Sequence, residues 1–552
     1  MRHIFKMCRK YLSRYWLNTL ACTALTIASS LMSMVYPFMS GTFLDLLLTS
    51  HDQGSLLRFC AMFFCVGLAS IIIGFAGNYM FTQISTKLSF EFNSDVIAHI
   101  QQTPLSFCQG QEPAYLNQRI NNDTLSMINF CLTVLQNIPI HIILVFAPIS
   151  FIYLYNRMIA LIIVVMSCIY YLAYKLLKQR MFTKSYEFKE SQAMFFSRLN
   201  EQLAHVQFLK MNGIADMFIR RLNEPFSSLL DKALSYQIAS YTFIGLDNAI
   251  MILAQITIFL IGGCSLITGD LSIGQLTIIL GYVNIVFNSV KFFFHLGKSN
   301  QDALVSHKRI SSILNTQFET NGSVIFDHID KLEVKQLCFS YAKDDIRIIE
   351  NFNYTFKKGN MYAVTGENGS GKSTLGALLV GLNLDSISGD ILYNDINIKE
   401  INMSRTRREL IAVAEQEPLM IADTLGYNLY FGSTPISDAI FRKTVSAVGL
   451  DSYMEQLSEG LGTLVKENAN NLSGGERQKV SILRGLLKDP DSIVLDEPTS
   501  ALDMKSISLL LAYLESVKSD KIVIIVTHNP DVIESCDYVI DLDKVACHYL
   551  HA

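Results

Sequence analysis

The chain has 552 residues, half of them hydrophobic and 17% charged, with a formal net charge of -4. That length exceeds one ordinary domain and predicts about two to four. The acidic balance lacks the concentrated basic face that nucleic acid requires, which excludes that partner. The eleven cysteines are scattered without a CxxC pair or Cys/His grouping, so neither a disulfide framework nor a cysteine metal site is expected.

In chain order, residues 1–15 carry Arg2, Lys6, Arg9, Lys10 and Arg14 among Ile4, Phe5, Tyr11 and Leu12. This is a basic amphipathic segment suited to the inner leaflet. The apolar run from Trp16 to Leu48 is too long for a signal-peptide core and has no clear small-residue cleavage site, so it is an uncleaved first span. Further apolar runs, each of roughly 20 residues or more, give six spans near 16–44, 57–82, 130–154, 157–177, 244–267 and 275–296. Together they make an α-helical transmembrane domain over 16–300, surrounded by membrane lipid.

The segment from Lys175 to Lys232 is rich in Lys and Arg, whereas the turns near 49–56, 155–157 and 268–274 hold only Arg157. By the positive-inside rule both termini are cytoplasmic, and the expected location is a bacterial plasma membrane. The inner loops, 83–129 and 178–243, are poor in Gly and Pro and predict helices that continue into the cytosol. Their crossing points are expected at Pro113–Leu116 and Met211–Ala215, whose apolar residues would dock on a soluble surface.

In the sixth span Thr277, Gly281, Asn284, Asn288, Lys291, His295 and Lys298 recur at spacings of three and four, on one helical face. Polar groups in a span face protein or water. Asn284, Asn288, Lys291 and His295 either line a cargo cavity or bond across helices and snorkel to the interface. Asp247, at the start of the fifth span, is the expected partner of Lys291 or His295.

A charged helix from Gln301 to Leu314 and a polar join form a linker over 301–323. From 324 to 552 short β-type runs (332–334, 348–354, 361–364, 411–413, 492–495, 522–526, 538–542) alternate with helical patterns, as in an α/β nucleotide-binding domain. After the strand Met361–Val364, the run Thr365-Gly366-Glu367-Asn368-Gly369-Ser370-Gly371-Lys372-Ser373-Thr374 is a P-loop. Its backbone N–H groups and the following helix dipole cradle phosphate. Lys372 reaches the β- and γ-phosphates, and Ser373 holds Mg²⁺. Ile493–Leu495 is a buried strand ending in Asp496, for the Mg²⁺ site, and Glu497, to polarise attacking water.

Leu472-Ser473-Gly474-Gly475-Glu476 resembles the signature loop of ATP-binding cassette (ABC) proteins. The resemblance implies that this loop holds the γ-phosphate of ATP bound to an opposite subunit; Glu476 stands where the family more often has Gln. Tyr341 is similar to the aromatic residue that stacks on adenine, Gln416 to the loop glutamine that senses Mg²⁺ and water, Asp503 in Ser500–Asp503 to the loop that crosses the dimer, and His528 to the switch histidine. Pro104–Phe107 and Arg119–Asp123 resemble the family's first inner loop. Val465-Lys466-Glu467 resembles the segment that meets the membrane domain, with Lys466 replacing a glycine.

The whole layout resembles an ABC exporter half transporter: a six-span domain, then a P-loop NTPase cassette, working as a dimer. The resemblance implies an ATPase that drives alternating access with Glu497, His528, Lys372 and Gln416 as catalytic residues. A second half transporter, expected to be another copy of this chain, completes each site. The expected cargo is a carboxylate-bearing peptide, given the cationic inner face; lipid flipping and lipophilic drug efflux are the alternatives, and an ATP-gated channel or regulator is the alternative from another class. No room before the first span is expected for a cysteine peptidase domain.

Overall fold

The computed structural model describes residues 1–49, 53–109, 113–341, 347–432 and 436–543. They form two compact units: one of 1–97 with 117–314, the other of 98–116 with the chain from 315 onward.

The described residues of the first unit are almost entirely helical. The amphipathic α1 (Arg2–Arg14) buries Ile4, Cys8 and Tyr11. The long helices α2 (Trp16–Thr49), α3 (Gln53–Ile100), α5 (Pro113–Tyr155), α6 (Arg157–Ala204), α9 (Asn223–Ile267) and α10 (Ile273–Leu314) contain the spans. Among the described residues, six stretches are long and apolar enough to cross a bilayer: 16–48, 53–100, 119–155, 157–177, 215–267 and 273–314. Each contains one of the six apolar runs. The helices run on past those runs because the flanking residues keep helix-forming composition, and Gln301–Leu314 is the end of α10 rather than a separate helix. Asn156 makes the sharp turn into α6, its side chain accepting from the amides of Met158 (3.0 Å) and Ile159 (3.1 Å).

Two pairings organise this unit: α6 packs along α9, and α10 along α2. At the second, a Cβ on Gly41 would lie 2.2 Å from the Gly274 carbonyl oxygen, so the two backbones touch and only glycine fits. Asp45 of α2 locks the contact, accepting from the Gly274 amide (2.9 Å) and the Ser272 hydroxyl (2.6 Å).

The inner crossings fall partly elsewhere than the sequence predicts. Pro113 begins α5, because its fixed φ and missing N–H suit a first helical turn. The first crossing is therefore upstream, around α4 (Leu105–Gln109). The second lies where expected, between α7 (Val206–Met211) and α8 (Ala215–Arg221), through a left-handed Gly213. The segment 98–116 belongs to the second unit: His99 packs on Phe318 at 4.7 Å, and the Glu319 amide donates to Gln102 O at 2.7 Å.

The described residues of the second unit form two sheets. The antiparallel one, in order β2-β1-β4-β5, comprises β1 (Lys331–Phe339), β2 (Ile349–Lys357), β4 (Ile387–Tyr393) and β5 (Ile396–Asn397). The parallel one, in order β6-β7-β8-β3-β9, comprises β3 (Asn360–Thr365), β6 (Ile411–Ala414), β7 (Ser492–Asp496), β8 (Ile522–Val526) and β9 (Tyr538–Asp541). All five residues of β8 are buried, as expected of a central parallel strand covered on both faces.

Candidate functional site

Parallel strands end on one edge of their sheet, and ligands of such sheets bind outside that edge. Because β6, β7, β8 and β3 are neighbours, their C-terminal ends bring together four segments far apart in sequence: Gln416, Asp496–Glu497, His528 and the loop from Gly366 to Thr374. Every catalytic residue expected from the sequence is on this edge.

The loop after β3 turns into α11 (Lys372–Leu379) through Gly369 and Gly371, both in the left-handed region. Lys372 is buried, and its Nζ donates to the carbonyls of Gly366 (2.7 Å) and Glu367 (2.8 Å). The ammonium is thereby held inside the loop, aimed where a phosphate would sit. Asn368 and Gly369 form the tip. Among the described residues, the Ser370 hydroxyl is buried without a partner.

Next to the loop, one oxygen of Asp496 is likewise buried and unpartnered. Burial raises this carboxyl's pKa, offset in part by the Ser373 hydroxyl and the Lys372 ammonium. A partly desolvated carboxylate beside a hydroxyl is an oxygen donor set suited to Mg²⁺. Glu497 follows with φ 44°, a left-handed conformation that costs roughly 1–3 kcal/mol in a non-glycine residue and marks a constrained position. Its amide donates to Val526 O at 2.9 Å. Its side chain is 3.6 Å from His528 Nε2. Gln416 is exposed just after β6, and the neighbouring Glu415 carbonyl accepts from Gln478 at 3.3 Å. Tyr341, 4.9 Å from Phe339 and edge-on to it, reaches Thr374 Oγ1 with its hydroxyl at 3.4 Å.

The signature loop is built separately. Ser473 caps the helix Gly474–Leu486 in a capping box: its hydroxyl accepts from the Glu476 amide (3.3 Å), while the Glu476 carboxylate accepts from the Ser473 amide (2.7 Å). Glutamate at this position thus has a local job that the sequence comparison with Gln does not convey. A Cβ on Gly475 would lie 2.8 Å from the Ala501 carbonyl oxygen, so glycine lets the loop sit against the segment leading to Asp503. Asp503 pairs with Lys479 (3.2 Å) and accepts from Ser506, which with Lys479 lowers its pKa to about 2. Among the described residues, no hydrogen bond or ion pair links 473–476 to 366–374. Removing the cap tests this local account. Ser473→Ala should cost about 1 kcal/mol at this helix start, read as roughly fivefold faster exchange of the Glu476 amide by hydrogen exchange.

Sequence reasoning missed Asp543, whose carboxylate accepts from the Glu367 amide at 2.6 Å and braces the P-loop. It lies just past β9, beside β3 in the sheet; nothing in its local sequence distinguishes it from a turn residue.

In the membrane unit, Lys291 is paired with Asp247 at 2.6 Å, the side chains 28% and 12% exposed. Asn284, Asn288 and His295 are exposed on the same helix. Directly after Lys291 in the chain come three aromatic residues: His141 stacks on Phe292 at 3.9 Å, Phe293 lies edge-on to Phe292 at 5.6 Å, and Phe294 stacks on Tyr174 at 4.3 Å.

Residues 19–290 match the ABC transporter transmembrane region family, and residues 349–500 match the ABC transporter family. The chain is 24% identical over 471 residues to YgaD of Bacillus subtilis, a provisionally named multidrug export ATP-binding/permease protein, covering 85% of this chain and 81% of that one. A counterpart in Staphylococcus aureus is 23% identical over 477 residues, covering 86% and 82%. The structure of a bacterial Atm1-family ABC exporter with ATP bound superimposes with a TM-score of 0.82 at 20% identity, over 96% of this chain and 94% of that one.

Proposed function

Because this chain belongs to the ABC transporter superfamily, as an exporter-type half transporter with an ATPase coupled to transport, we propose that two copies assemble and export a lipophilic compound by alternating access. The separation of 473–476 from 366–374 supports the dimer: a single copy holds the two halves of an ATP site without joining them. In the pair, Gly366–Thr374 and Tyr341 of one copy hold the nucleotide, while Ser473, Gly474, Gly475, Glu476 and Asp503 of the other cover its γ-phosphate.

Each catalytic group then has one task. Lys372 leaves its loop carbonyls for the β- and γ-phosphates. Ser373, Asp496 and Gln416 would hold Mg²⁺, which neutralises phosphate charge when bound. Glu497 takes the proton from the attacking water, and His528, 3.6 Å from it, steadies the γ-phosphate. Closing and reopening of the cassettes reaches the spans through α3 and α5, which continue without a break into the 98–116 segment. Both termini face the cytoplasm.

The observation that carries the cargo reading is the Lys291–Asp247 pair. It balances the charge of Lys291, the residue that most favours a carboxylate-bearing peptide, and the neighbouring Phe292, Phe293 and Phe294 add aromatic surface to this part of the helix. The multidrug naming of the relatives agrees with a lipophilic cargo. A peptide remains the second reading, favoured by the exposed Asn284, Asn288 and His295, with lipid flipping between the two. In reconstituted protein, lipophilic dyes should stimulate ATP hydrolysis at least twofold more than short peptides do, as expected for a site whose binding energy comes mainly from apolar contact. Stimulation by peptides alone would reverse the assignment.

A further inference from the structure

The cations of α1 lie on two flanks with different surroundings. On one, Lys10 and Arg14 pair with Asp95 and Glu91 of α3, and Tyr11 and Tyr15 donate to the same two carboxylates at 2.9 and 2.8 Å. This flank is neutralised by protein.

The other flank is not. Arg2, Lys6 and Arg9 follow one another at spacings of four and three, so they share a helical face. All three are exposed, and among the described residues none pairs with a carboxylate. They border a cleft of ≈ 830 Å³ that continues past Trp16 to Leu20 of α2 and Leu135 of α5. Trp16 and Leu20 are 57% and 61% exposed, and both belong to the first span, so the apolar end of the cleft opens where hydrocarbon begins. A row of three uncompensated cations, then an interfacial tryptophan, then leucines is the polarity profile of a phospholipid read from headgroup to acyl chain.

We propose that this cleft binds one anionic phospholipid, its phosphate held by Arg2, Lys6 and Arg9 and an acyl chain lying along Leu20 and Leu135. A zwitterionic headgroup brings its own cation beside the three already present and is the poorer fit. The anionic headgroup also supplies the counter-charge that the protein supplies on the opposite flank. Binding here fastens α1 to the bilayer, a role separate from cargo export.

The chain contains a single tryptophan, Trp16, so intrinsic tryptophan fluorescence reports on this cleft alone. The full-length protein would be reconstituted in phosphatidylcholine bilayers with a small fraction of brominated phosphatidylglycerol, or the same fraction of brominated phosphatidylcholine. The expected result is roughly fivefold stronger quenching per mole by the anionic lipid, on the scale of the contribution of a basic residue at an anionic surface. Unbrominated phosphatidylglycerol should relieve that quenching saturably. The combined Arg2→Gln, Lys6→Gln, Arg9→Gln variant should lose the preference while its ATP hydrolysis stays at the wild-type level. Equal quenching by the two lipids, or a preference that survives in the variant, overturns the proposal. So does relief by competitor in the wild-type protein that rises linearly without saturation, which needs no variant and indicates diffuse surface charge.

Discussion

Glu497→Gln should lower ATP turnover by about 10²–10⁴-fold, the range contributed by a positioned general base. Glutamine keeps the shape of the side chain and leaves the backbone hydrogen bond to Val526 in place, so the loss reports proton removal rather than misfolding. Nothing that grips phosphate is altered: Lys372 stays buried against the Gly366 and Glu367 carbonyls, and the Ser370 and Asp496 side chains keep their unpartnered oxygens. The variant should therefore bind a fluorescent ATP analogue with wild-type affinity and accumulate as an ATP-bound dimer. Measured together, phosphate release and analogue binding separate this from a general loss of structure. Turnover within about twofold of wild type would remove Glu497 from the base role, because even the weakest general base contributes more than that.

The second large effect is expected in the membrane unit. Asp247→Leu leaves Lys291 without its partner near the inner end of the sixth span. Breaking one side of a buried ion pair costs roughly 3–5 kcal/mol, and the residual exposure of 28% at Lys291 places this case at the lower end. Removing both charges with Asp247→Leu and Lys291→Met should recover most of the loss, since well-packed apolar replacements of a buried pair are often close to neutral. Thermal unfolding in detergent, run as a double-mutant cycle, gives the coupling. Additive losses would show that the two side chains do not interact in the folded protein. Retained dye stimulation in the doubly apolar variant would further support a cargo wall whose affinity is aromatic rather than cationic.

Much of the nucleotide site was legible because its residues sit at strand ends with strong local patterns. The glycines of 366–371 and the Asp496–Glu497 pair each follow a short apolar strand, and neighbouring parallel strands bring such ends together without further information. Asp543 was not legible, since its role depends on β9 lying next to β3, a tertiary fact with no local signal. β4 was passed over because Ser388, Gly389 and Asp390 interrupt its apolar residues; only Ile391 and Tyr393 are buried. Pro113 misled in the opposite direction: proline suggested a break, and here it starts a helix. The Lys291–Asp247 pair was legible in part: Asp247 at the start of the fifth span offers Lys291 or His295 a partner, and the packing of the adjoining helices selects Lys291, at 2.6 Å.

Uptake of a lipophilic dye into inside-out vesicles tests ATP-driven export most directly. Accumulation above the medium concentration should require ATP in the wild-type protein and be abolished by Glu497→Gln, whose ATP binding is intact. Uptake that merely equilibrates the dye once ATP binds, unaffected by Glu497→Gln and accompanied by ohmic current, would contradict a pump and identify an ATP-gated pore.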